Sequence, residues 1–395
     1  MTGPLDGVRI IDLTAMISGP LATMMLADQG AEVIKVENPA GGDFTRSAAN
    51  RQGGMSALFL NNNRNKKSVA LNLKEPEGRE ALLKLVATAD VFVQNFRPGV
   101  IARMGLGEEE LRKVAPGLIM VSVSGFGDSG PYAQRPVYDP LIQGLSGLAT
   151  VQAGADGRRP QLVRTILPDK LTGVTAAQAI TAALFARERT GEGQHIRLSM
   201  LDAIVAFLWS SDMGSQTFVH GDLPQQEAAS FQDLIYETTT GYITIAVQND
   251  REWQAIIRAL ERPEWAGDAR FRTAELRQQN IDARLELIQS VIRTDSAEHW
   301  LARLEQERVP CAPVLTRAQM LDHPQVRAND LLLNYQHPQA GLIRQSRAPS
   351  RFSAAPDHDW QGAPTLGQHT RALLTNCGYS PEEIQDMIDS GTAGG

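Results

Sequence analysis

Residues 1–125 alternate between short β-branched runs and helical segments, and this alternation limits the fold more than any other feature of the sequence. Helical segments include residues 20–27, which stop at a glycine, and a helix that Pro76 opens. Strands that alternate with helices predict an α/β fold with a mainly parallel sheet and helices on both faces. The strand-like runs cover residues 8–13, 31–37, 68–73, 90–96 and 118–124.

The rest of the chain indicates a second region. An alanine-rich helical segment covers residues 168–190, and a loop rich in Pro, Gln and Gly lies at about residues 213–230. Beyond it, residues 242–247 alternate like a strand and are followed by helical segments. At 395 residues the chain exceeds the usual size of one hydrophobic core. We therefore expect a large domain in residues 1–224, a small α+β domain in residues 225–318, and a return to the large domain in residues 319–395.

The composition is that of a globular chain with an acidic balance. Apolar residues make up 42%, charged residues 21%, and the formal net charge is −7. A general nucleic-acid binder would present a basic face, so we expect no nucleic-acid partner. The two cysteines, Cys311 and Cys377, are too few for a disulfide framework and suit a reducing cytosol. The sequence shows no signal-peptide pattern and no long apolar run, so we expect a cytoplasmic protein without a membrane segment.

One glycine pattern matches a dinucleotide fingerprint but lacks its context. The string GFGDSG at residues 125–130 follows a predicted strand. The fingerprint needs a helix start aimed at the pyrophosphate, whereas Pro131 and Pro136 follow here. We therefore interpret the string as a glycine-rich surface loop and expect no NAD. The seven histidines show no ligand spacing, so we expect no metal site.

Amide, basic and aromatic side chains cluster where two predicted strands end. In open parallel sheets, ligands bind outside the carboxyl ends of the strands. Cations at that edge suit phosphates, and an aromatic ring suits a base. The clusters therefore favour a phosphate-bearing ligand, although solvated loops have the same composition. They comprise Lys74 after the third strand and Asn95, Phe96, Arg97, Arg103 and Met104 after the fourth.

Asp169 stands at the start of the alanine-rich helix, in the string LPDKLTG at residues 167–173. Aspartate is a preferred N-cap, so capping explains it without any chemistry. A helix start also offers N–H groups and a dipole that can orient an ionised carboxylate. Positioned carboxylates serve as nucleophiles in covalent catalysis. The residue type and its position leave both roles open, and capping is the commoner one.

Long motifs along the whole chain resemble one enzyme family. They are LDGVRIIDLT, SGPLATMMLADQGAEVIKVENPAGGDFTR, NRNKKSVALNLKEPEG, DVFVQNFRPGV with RMGLG, SGFGDSGP, TGEGQHIRLSMLDA and PTLGQHT. Together they resemble the class III CoA-transferase family, also called the CaiB/BaiF family. That family includes formyl-CoA:oxalate, carnitine and succinyl-CoA:dicarboxylate CoA-transferases.

The resemblance implies a fold and an assembly. The large domain would be Rossmann-like, with a parallel sheet formed by both chain ends and an inserted small α+β domain. Two chains would form an interlocked homodimer, with the active site between the large and small domains. The activity implied is transfer of coenzyme A from an acyl-CoA donor to a carboxylic acid, without a metal or NAD.

The resemblance also implies roles for individual residues. The family's nucleophile corresponds to Asp169, which would form an aspartyl anhydride with the acyl group and then an aspartyl-CoA thioester. Water must be kept out, since it would hydrolyse the anhydride. The positions that match the family's CoA site are Ile17, Ser18, Asn38, Leu71, Asn72, Leu73, Lys74, Asn95, Phe96, Arg97, Arg103, Met104 and Tyr138.

Two departures from the formyl-CoA transferases bear on the substrate. Ile17 and Asn38 stand where those enzymes carry a glutamine and an arginine, and no tetraglycine loop is visible in residues 220–250. We therefore expect an acid other than oxalate, and the resemblance to succinyl-CoA-using members indicates a dicarboxylic acid. Contacts to the acyl group are expected on small-domain loops, where Gln232, Asp233 and Tyr236 are the polar landmarks.

Two other functions remain as alternatives. The α-methylacyl-CoA racemases share the fold but need a histidine in a Gly-His-Asp string, where this chain has Val137-Tyr138-Asp139. Tyrosine, with a pKa near 10, is a poor base at neutral pH, so the transferase is favoured. A non-catalytic acyl-CoA-binding protein would keep the strand-end clusters but would not need Asp169.

Overall fold

The computed structural model describes residues 3–154, 157–219, 234–355 and 360–395. The chain forms two compact units, one made of Met1–Pro224 with Leu331–Gly395 and the other of Gln225–Asp330. The second unit continues past residue 318, where the sequence suggested a boundary, and takes in two further short helices. Within the described ranges, no helix is both long enough and apolar enough to cross a membrane.

The two units are built from the following strands and helices. The strands are β1 (Arg9–Asp12), β2 (Glu32–Glu37), β3 (Arg51–Gln52), β4 (Met55–Ser56), β5 (Lys66–Leu71), β6 (Val91–Gln94), β7 (Ile119–Ser124), β8 (His195–Ser199), β9 (Ile235–Thr238), β10 (Gly241–Ile245), β11 (Cys311–Pro313), β12 (Leu332–His337), β13 (Gly341–Ser346) and β14 (Ala393–Gly394). The α-helices are α1 (Ser18–Ala27), α2 (Ala57–Asn63), α3 (Pro76–Val86), α4 (Val100–Arg103), α5 (Glu108–Val114), α6 (Asp139–Leu145), α7 (Leu148–Gln152), α8 (Leu167–Thr190), α9 (Met200–Trp209), α10 (Gly214–Thr217), α11 (Asp250–Ala259), α12 (Ala274–Gln279), α13 (Ile281–Ile292), α14 (Ala297–Gln306), α15 (Arg317–Asp322), α16 (Pro324–Ala328), α17 (Thr370–Asn376) and α18 (Pro381–Asp389). Short 3-10 helices cover Phe44–Ser47, Pro263–Gly267 and Ala269–Phe271.

The first unit contains a seven-stranded sheet in the order β14-β5-β2-β1-β6-β7-β8. All neighbouring strands are parallel except β14, which runs antiparallel to β5. At the centre, Ile11 of β1 lies opposite Ile34 of β2 and Phe92 of β6. The mainly parallel α/β sheet predicted from the sequence is therefore confirmed.

Helices cover both faces of this sheet because successive residues of a strand point to opposite sides. Ile10 and Val91 pack against α1 and α8, whereas Ile11 and Phe92 pack against α3 and α5. The alanines of α8, such as Ala176, are buried where this helix packs on α1. The first turns of α1 and α8 are thereby brought together above the carboxyl ends of the strands.

The second unit has its own sheet and core. Strands β9, β10 and β11 form an antiparallel sheet. Aliphatic and aromatic residues form its core, with the rings of Trp253 and Trp265 stacked at a centroid distance of 6.3 Å. Helix α11 begins at Asn249, whose side chain accepts a hydrogen bond from the Glu252 amide.

Candidate active site

A cavity of about 880 Å³ lies at the carboxyl ends of β1, β2, β5 and β6. We call it the strand-end cavity. Parallel strands end at one edge of a sheet, so residues far apart in sequence meet there. Eight of the residues predicted to contact CoA line it: Asn38, Leu71, Asn72, Leu73, Lys74, Phe96, Arg103 and Met104.

The charges around the strand-end cavity suit an anion. Its acidic lining residues lie in buried ion pairs, at 2.7 Å between Glu37 and Arg46 and at 3.0 Å between Asp43 and Lys35. Arg103 also lines the cavity, and among the described residues no acidic side chain pairs with it. A guanidinium without a competing carboxylate is a good partner for phosphate.

Arg79 is a lining residue that the sequence patterns did not single out. It belongs to α3, and its Nη1 donates hydrogen bonds to the carbonyls of Leu73 at 3.0 Å and Lys74 at 2.7 Å. The guanidinium thus fixes the loop that follows β5 and adds positive charge to the cavity. The sequence offered one signal for Arg79, since it lies one turn into the helix that follows Lys74.

A second cavity, of about 170 Å³, contains the carboxylate of Asp169, and we call it the Asp169 cavity. Phe96 lines both cavities, so its ring is a shared wall. Ile17 lines neither cavity, because its side chain is only 6% exposed and is part of the buried core. The predicted residues that line the Asp169 cavity are Ser18, Asn95, Phe96, Arg97, Tyr138 and Asp169.

Asp169 does not cap its own helix, so the capping explanation was wrong. Helix α8 has Ile166 as its N-cap, with no side-chain hydrogen bond, and Asp169 is the third residue of the helix. The Asp169 carboxylate instead lies close to the backbone N–H and the hydroxyl of Ser18, which lower the pKa of its carboxyl and line the same cavity. Ser18 is the first residue of α1, so the carboxylate lies at the positive end of a neighbouring helix.

The acidity of Asp169 is set by opposing effects. Burial, and after it the nearby Asp139 carboxylate, raise the pKa of its carboxyl, while the donor groups of Ser18 lower it, and the net result is a pKa of about 6. At neutral pH most of the carboxyl is therefore ionised but more basic than an ordinary aspartate. A more basic carboxylate that is still ionised suits a nucleophile.

Asp139 is a second site residue that the sequence patterns did not single out. Its side chain is 3% exposed, and its Oδ2 accepts a hydrogen bond from the Asp169 amide at 3.3 Å. Its Oδ1 accepts one from Gln143 Nε2 at 2.6 Å. Burial raises the pKa of Asp139 as well. The available signal was an aspartate directly before Pro140, where a helix begins.

A glycine allows the contact between the two helix starts. Gly173 lies one turn after Asp169 on the same face of α8. A β-carbon on Gly173 would lie 2.8 Å from the Ser18 carbonyl oxygen and 3.2 Å from Leu21 Cβ. The absence of a side chain therefore lets α8 approach α1 closely enough for Ser18 to reach Asp169.

Two predicted CoA contacts have specific surroundings. The amide group of Asn95 bonds both backbone groups of Ala15, at 3.0 Å for the Ala15 N–H and 2.8 Å for the Ala15 carbonyl. Asn95 therefore shapes the turn after β1. Tyr138 is 67% exposed at the edge of the Asp169 cavity, in the position where a racemase would need its histidine.

The glycine string at residues 125–130 forms a loop, as predicted. The next helix, α6, begins only at Asp139. Gly127 has a φ of +96°, and its amide donates to Ser124 Oγ at 3.1 Å. Gly125 and Phe126 line the Asp169 cavity, so the loop contributes a wall of the site.

Of the landmarks expected for the acyl group, Gln232 and Asp233 lie outside the described residues. Tyr236 is 2% exposed and packs within the core of the second unit. Burial raises the pKa of its hydroxyl to about 12. The landmark role expected for Tyr236 was therefore wrong, because the ring is a core residue.

The chain is similar to known proteins along almost its whole length. Residues 5–370 match the model of CoA-transferase family III. Succinyl-CoA:glutarate CoA-transferase of Mus musculus is 36% identical over 98% of this chain and 90% of that protein. Acetyl-CoA:oxalate CoA-transferase of Acetobacter aceti is 36% identical over 94% of this chain and 95% of that protein. A CaiB/BaiF family protein from Brucella suis has a solved structure with a TM-score of 0.82 at 32% identity, covering 95% of this chain and 100% of that one. The chain therefore belongs to CoA-transferase family III and is an enzyme of that class.

Proposed function

We propose that this enzyme transfers coenzyme A from an acyl-CoA donor to a carboxylic acid through covalent intermediates on Asp169. One observation carries the proposal. The half-buried Asp169, beside the donor groups of Ser18, lines a cavity that shares the wall of Phe96 with a cavity lined by cations. CoA in the strand-end cavity would place its phosphates near Lys74 and Arg103, with its thioester reaching past Phe96 to Asp169.

The steps balance without water or ATP. The Asp169 carboxylate attacks the thioester carbonyl, a C–O bond forms, and the C–S bond breaks to release CoA thiolate. The thiolate then attacks the aspartyl carbonyl of the anhydride, which releases the donor acid and leaves aspartyl-CoA. The acceptor carboxylate attacks this thioester, and the returning thiolate attacks the acceptor's carbonyl, which frees Asp169. Each intermediate keeps the activation of the original thioester.

The substitution Asp169→Ala tests this mechanism. CoA transfer should vanish, while CoA binding measured by calorimetry should persist because the cations of the strand-end cavity are unchanged. In the wild-type enzyme, incubation with acyl-CoA and then hydroxylamine should leave a modified Asp169, detected by mass spectrometry. Transfer by the Asp169→Ala variant would falsify the covalent mechanism, and intact CoA binding without any transfer by the wild type would favour a non-catalytic binder.

A racemase would behave differently. It would exchange the α-proton of a 2-methylacyl-CoA with deuterated water in the absence of any acceptor acid. Tyr138 in place of a histidine leaves that reaction without one of the groups that the racemases need for proton transfer. We therefore expect no such exchange.

We propose a dicarboxylic acid as one of the substrates. The relatives with 36% identity act on different acids, according to their names, so the support comes from the site. A third cavity, of about 690 Å³, is lined by Arg159 and Arg164 and shares Asp139 with the surroundings of Asp169. No ion pair or hydrogen bond involves either guanidinium within the described part of the chain. Two unpaired guanidiniums suit the second carboxylate of a dicarboxylic acid.

We also propose a homodimer. In each chain, residues 1–224 and 331–395 would form the large domain, and the small domain would be inserted between them. The support is apolar surface on two helices of the first unit. Val174 and Phe185 of α8, and Phe207 and Trp209 of α9, are exposed in the single chain. Light scattering should give twice the mass of one chain.

A further inference from the structure

The backbone of the turn between β1 and α1 is held by side chains, and all of these except the adjacent Asp12 come from other parts of the chain. Within residues 14–16, three N–H groups and two carbonyl oxygens make such hydrogen bonds, at 2.7 to 3.2 Å. Ordinary turns rely mainly on their own backbone hydrogen bonds. The side chains that hold this turn are Asp12, Lys35, Asp43 and Asn95.

Met16 is the strained residue of this turn. Its φ is +71°, in the left-handed region that residues other than glycine rarely adopt. Its N–H donates to Asp43 Oδ1 at 3.2 Å. Two residues later, Ser18 begins α1 and lines the same cavity as Asp169, whose pKa its N–H and hydroxyl lower. The conformation of Met16 therefore helps to set the path by which the chain enters α1, and with it the position of Ser18.

Asp43 is placed to maintain that conformation. It is 4% exposed and lies 3.0 Å from the fully buried Lys35 ammonium. Burial alone would raise the pKa of Asp43, but Lys35 and the hydrogen bonds from Thr45 outweigh burial and hold the pKa below its usual range. The carboxylate is thus ionised at neutral pH. The other charged groups of this buried network are Asp12, Glu37, Arg46 and Lys66.

We propose that Asp43 is a positioning residue for the nucleophile. By holding the Met16 N–H, it keeps the turn in the conformation that directs the Ser18 donors at the Asp169 carboxylate. Asp43 does not contact Asp169 or the reacting atoms of the proposed reaction. Its effect on Asp169 passes through Met16 and Ser18. The inference rests on the proposed function, because the positioning matters for a reaction at Asp169.

A double-substitution experiment tests the path through Met16. Glycine adopts positive φ without strain, so the Met16→Gly variant should need the Asp43 hydrogen bond less. In the wild-type background, Asp43→Asn should lower kcat by about tenfold, and in the Met16→Gly background by less than about threefold. An equal cost in both backgrounds would overturn the proposal. Asp43→Glu, which keeps the charge opposite Lys35 but moves the oxygen, should show the same pattern if Asp43→Asn folds poorly.

A second readout does not depend on transferase activity. Trypsin releases residues 165–170 as a peptide whose only acidic side chain is that of Asp169. The pH midpoint of its carbodiimide labelling, relative to an exposed carboxyl in the same digest, reports the pKa of Asp169. The midpoint should lie near 6 in the wild type and higher in Asp43→Asn, since the Ser18 donors lower this pKa. An unchanged midpoint in a folded Asp43→Asn variant would also overturn the proposal.

The control is a buried carboxylate at the other end of the same helix. Asp28 follows α1 and pairs with Arg64 at 2.5 Å, and it lines neither the strand-end cavity nor the Asp169 cavity. Asp28→Asn should lower the melting temperature but leave the labelling midpoint and kcat unchanged. If the wild type transfers no CoA while the midpoints shift as expected, the proposed function fails and the positioning role of Asp43 stands.

Discussion

The backbone amide of Asp169 donates a hydrogen bond to the carboxylate of Asp139 at 3.3 Å. Asp139 thus holds the first turn of α8, which carries Asp169. The charge of Asp139 also lies close enough to raise the pKa of Asp169. The arrangement combines support of the backbone with control of the nucleophile's basicity. The position and the basicity of the Asp169 carboxylate therefore depend on the same neighbour.

The pH dependence of catalysis should follow Asp169. Its pKa is raised to about 6 and the nucleophile must be ionised, so kcat/KM should fall as the pH decreases through about 6. In Asp139→Asn the charge that helps to raise this pKa is gone, and the acidic limb should move to lower pH. Burial remains as the larger cause, so the midpoint should stay above that of an ordinary aspartate. Steady-state rates across the pH range measure the midpoint of this fall in the wild type and in Asp139→Asn. The same midpoint in both enzymes would contradict the assignment.

Removing the charge of Asp169 should stabilise the fold. The pKa of Asp169 is higher in the folded state than the ordinary 3.8, so the ionised carboxyl opposes folding above about pH 6, and below about pH 4 it is protonated in both states. We expect Asp169→Asn to raise the melting temperature by about 2–5 °C near neutral pH, with the gain shrinking towards about pH 4. Calorimetric scans at several pH values check the trend. A gain that grew on acidification would have the wrong sign.

The close approach at Gly173 should be essential for activity. In Gly173→Ala the new methyl group would meet the Ser18 carbonyl at 2.8 Å, so α8 must move away from α1 and weaken the contact with Asp169. We expect kcat to fall by about tenfold or more, with a lower melting temperature. Gly144 of α6 is the matched control, because a β-carbon there meets nothing within 4 Å. Gly144→Ala should keep full activity and gain up to about 1 kcal/mol in stability.

Arg164 should discriminate between classes of acid. Loss of its guanidinium in Arg164→Gln should raise the KM for dicarboxylic acids such as glutarate by about tenfold, with little change for monocarboxylic acids. Arg158→Gln is the control, since Arg158 is a neighbouring arginine that does not line this cavity. Competition between acids of both classes, read by mass spectrometry, measures the change. Equal effects on both classes would remove the support for a dicarboxylic substrate.

The sheet and the position of the strand-end cavity could be predicted because they depend on local patterns. The β-branched runs mark the strands, and parallel strands bring their carboxyl ends together whatever the details of packing. The sequence therefore predicts that Lys74, Phe96 and Met104 lie at one edge of the sheet, and the fold brings them into one cavity.

The surroundings of Asp169 could not be predicted in this way. Its contact with Ser18 depends on how α1 and α8, which are distant in sequence, pack against each other. Its contact with Asp139 depends on the position of α6 relative to α8. The sequence pattern at Asp169 matched a capping residue, and only the observed start of α8 excludes that role. Strand β14 is too short to have a pattern, so its pairing with β5 was also beyond prediction.

The pairing of β14 with β5 has a consequence for how the enzyme is made. Ala393 lies opposite Leu71, and the Asn72 amide donates to the Thr392 carbonyl at 2.7 Å, so residues synthesised late support two residues that line the strand-end cavity. Contacts between such distant parts of a chain form slowly. While the ribosome is still translating residues 225–330, the growing chain holds a sheet whose edge strand β5 has no partner on one side. The loop after β5, which lines the strand-end cavity, would thus gain one of its backbone hydrogen bonds late in synthesis.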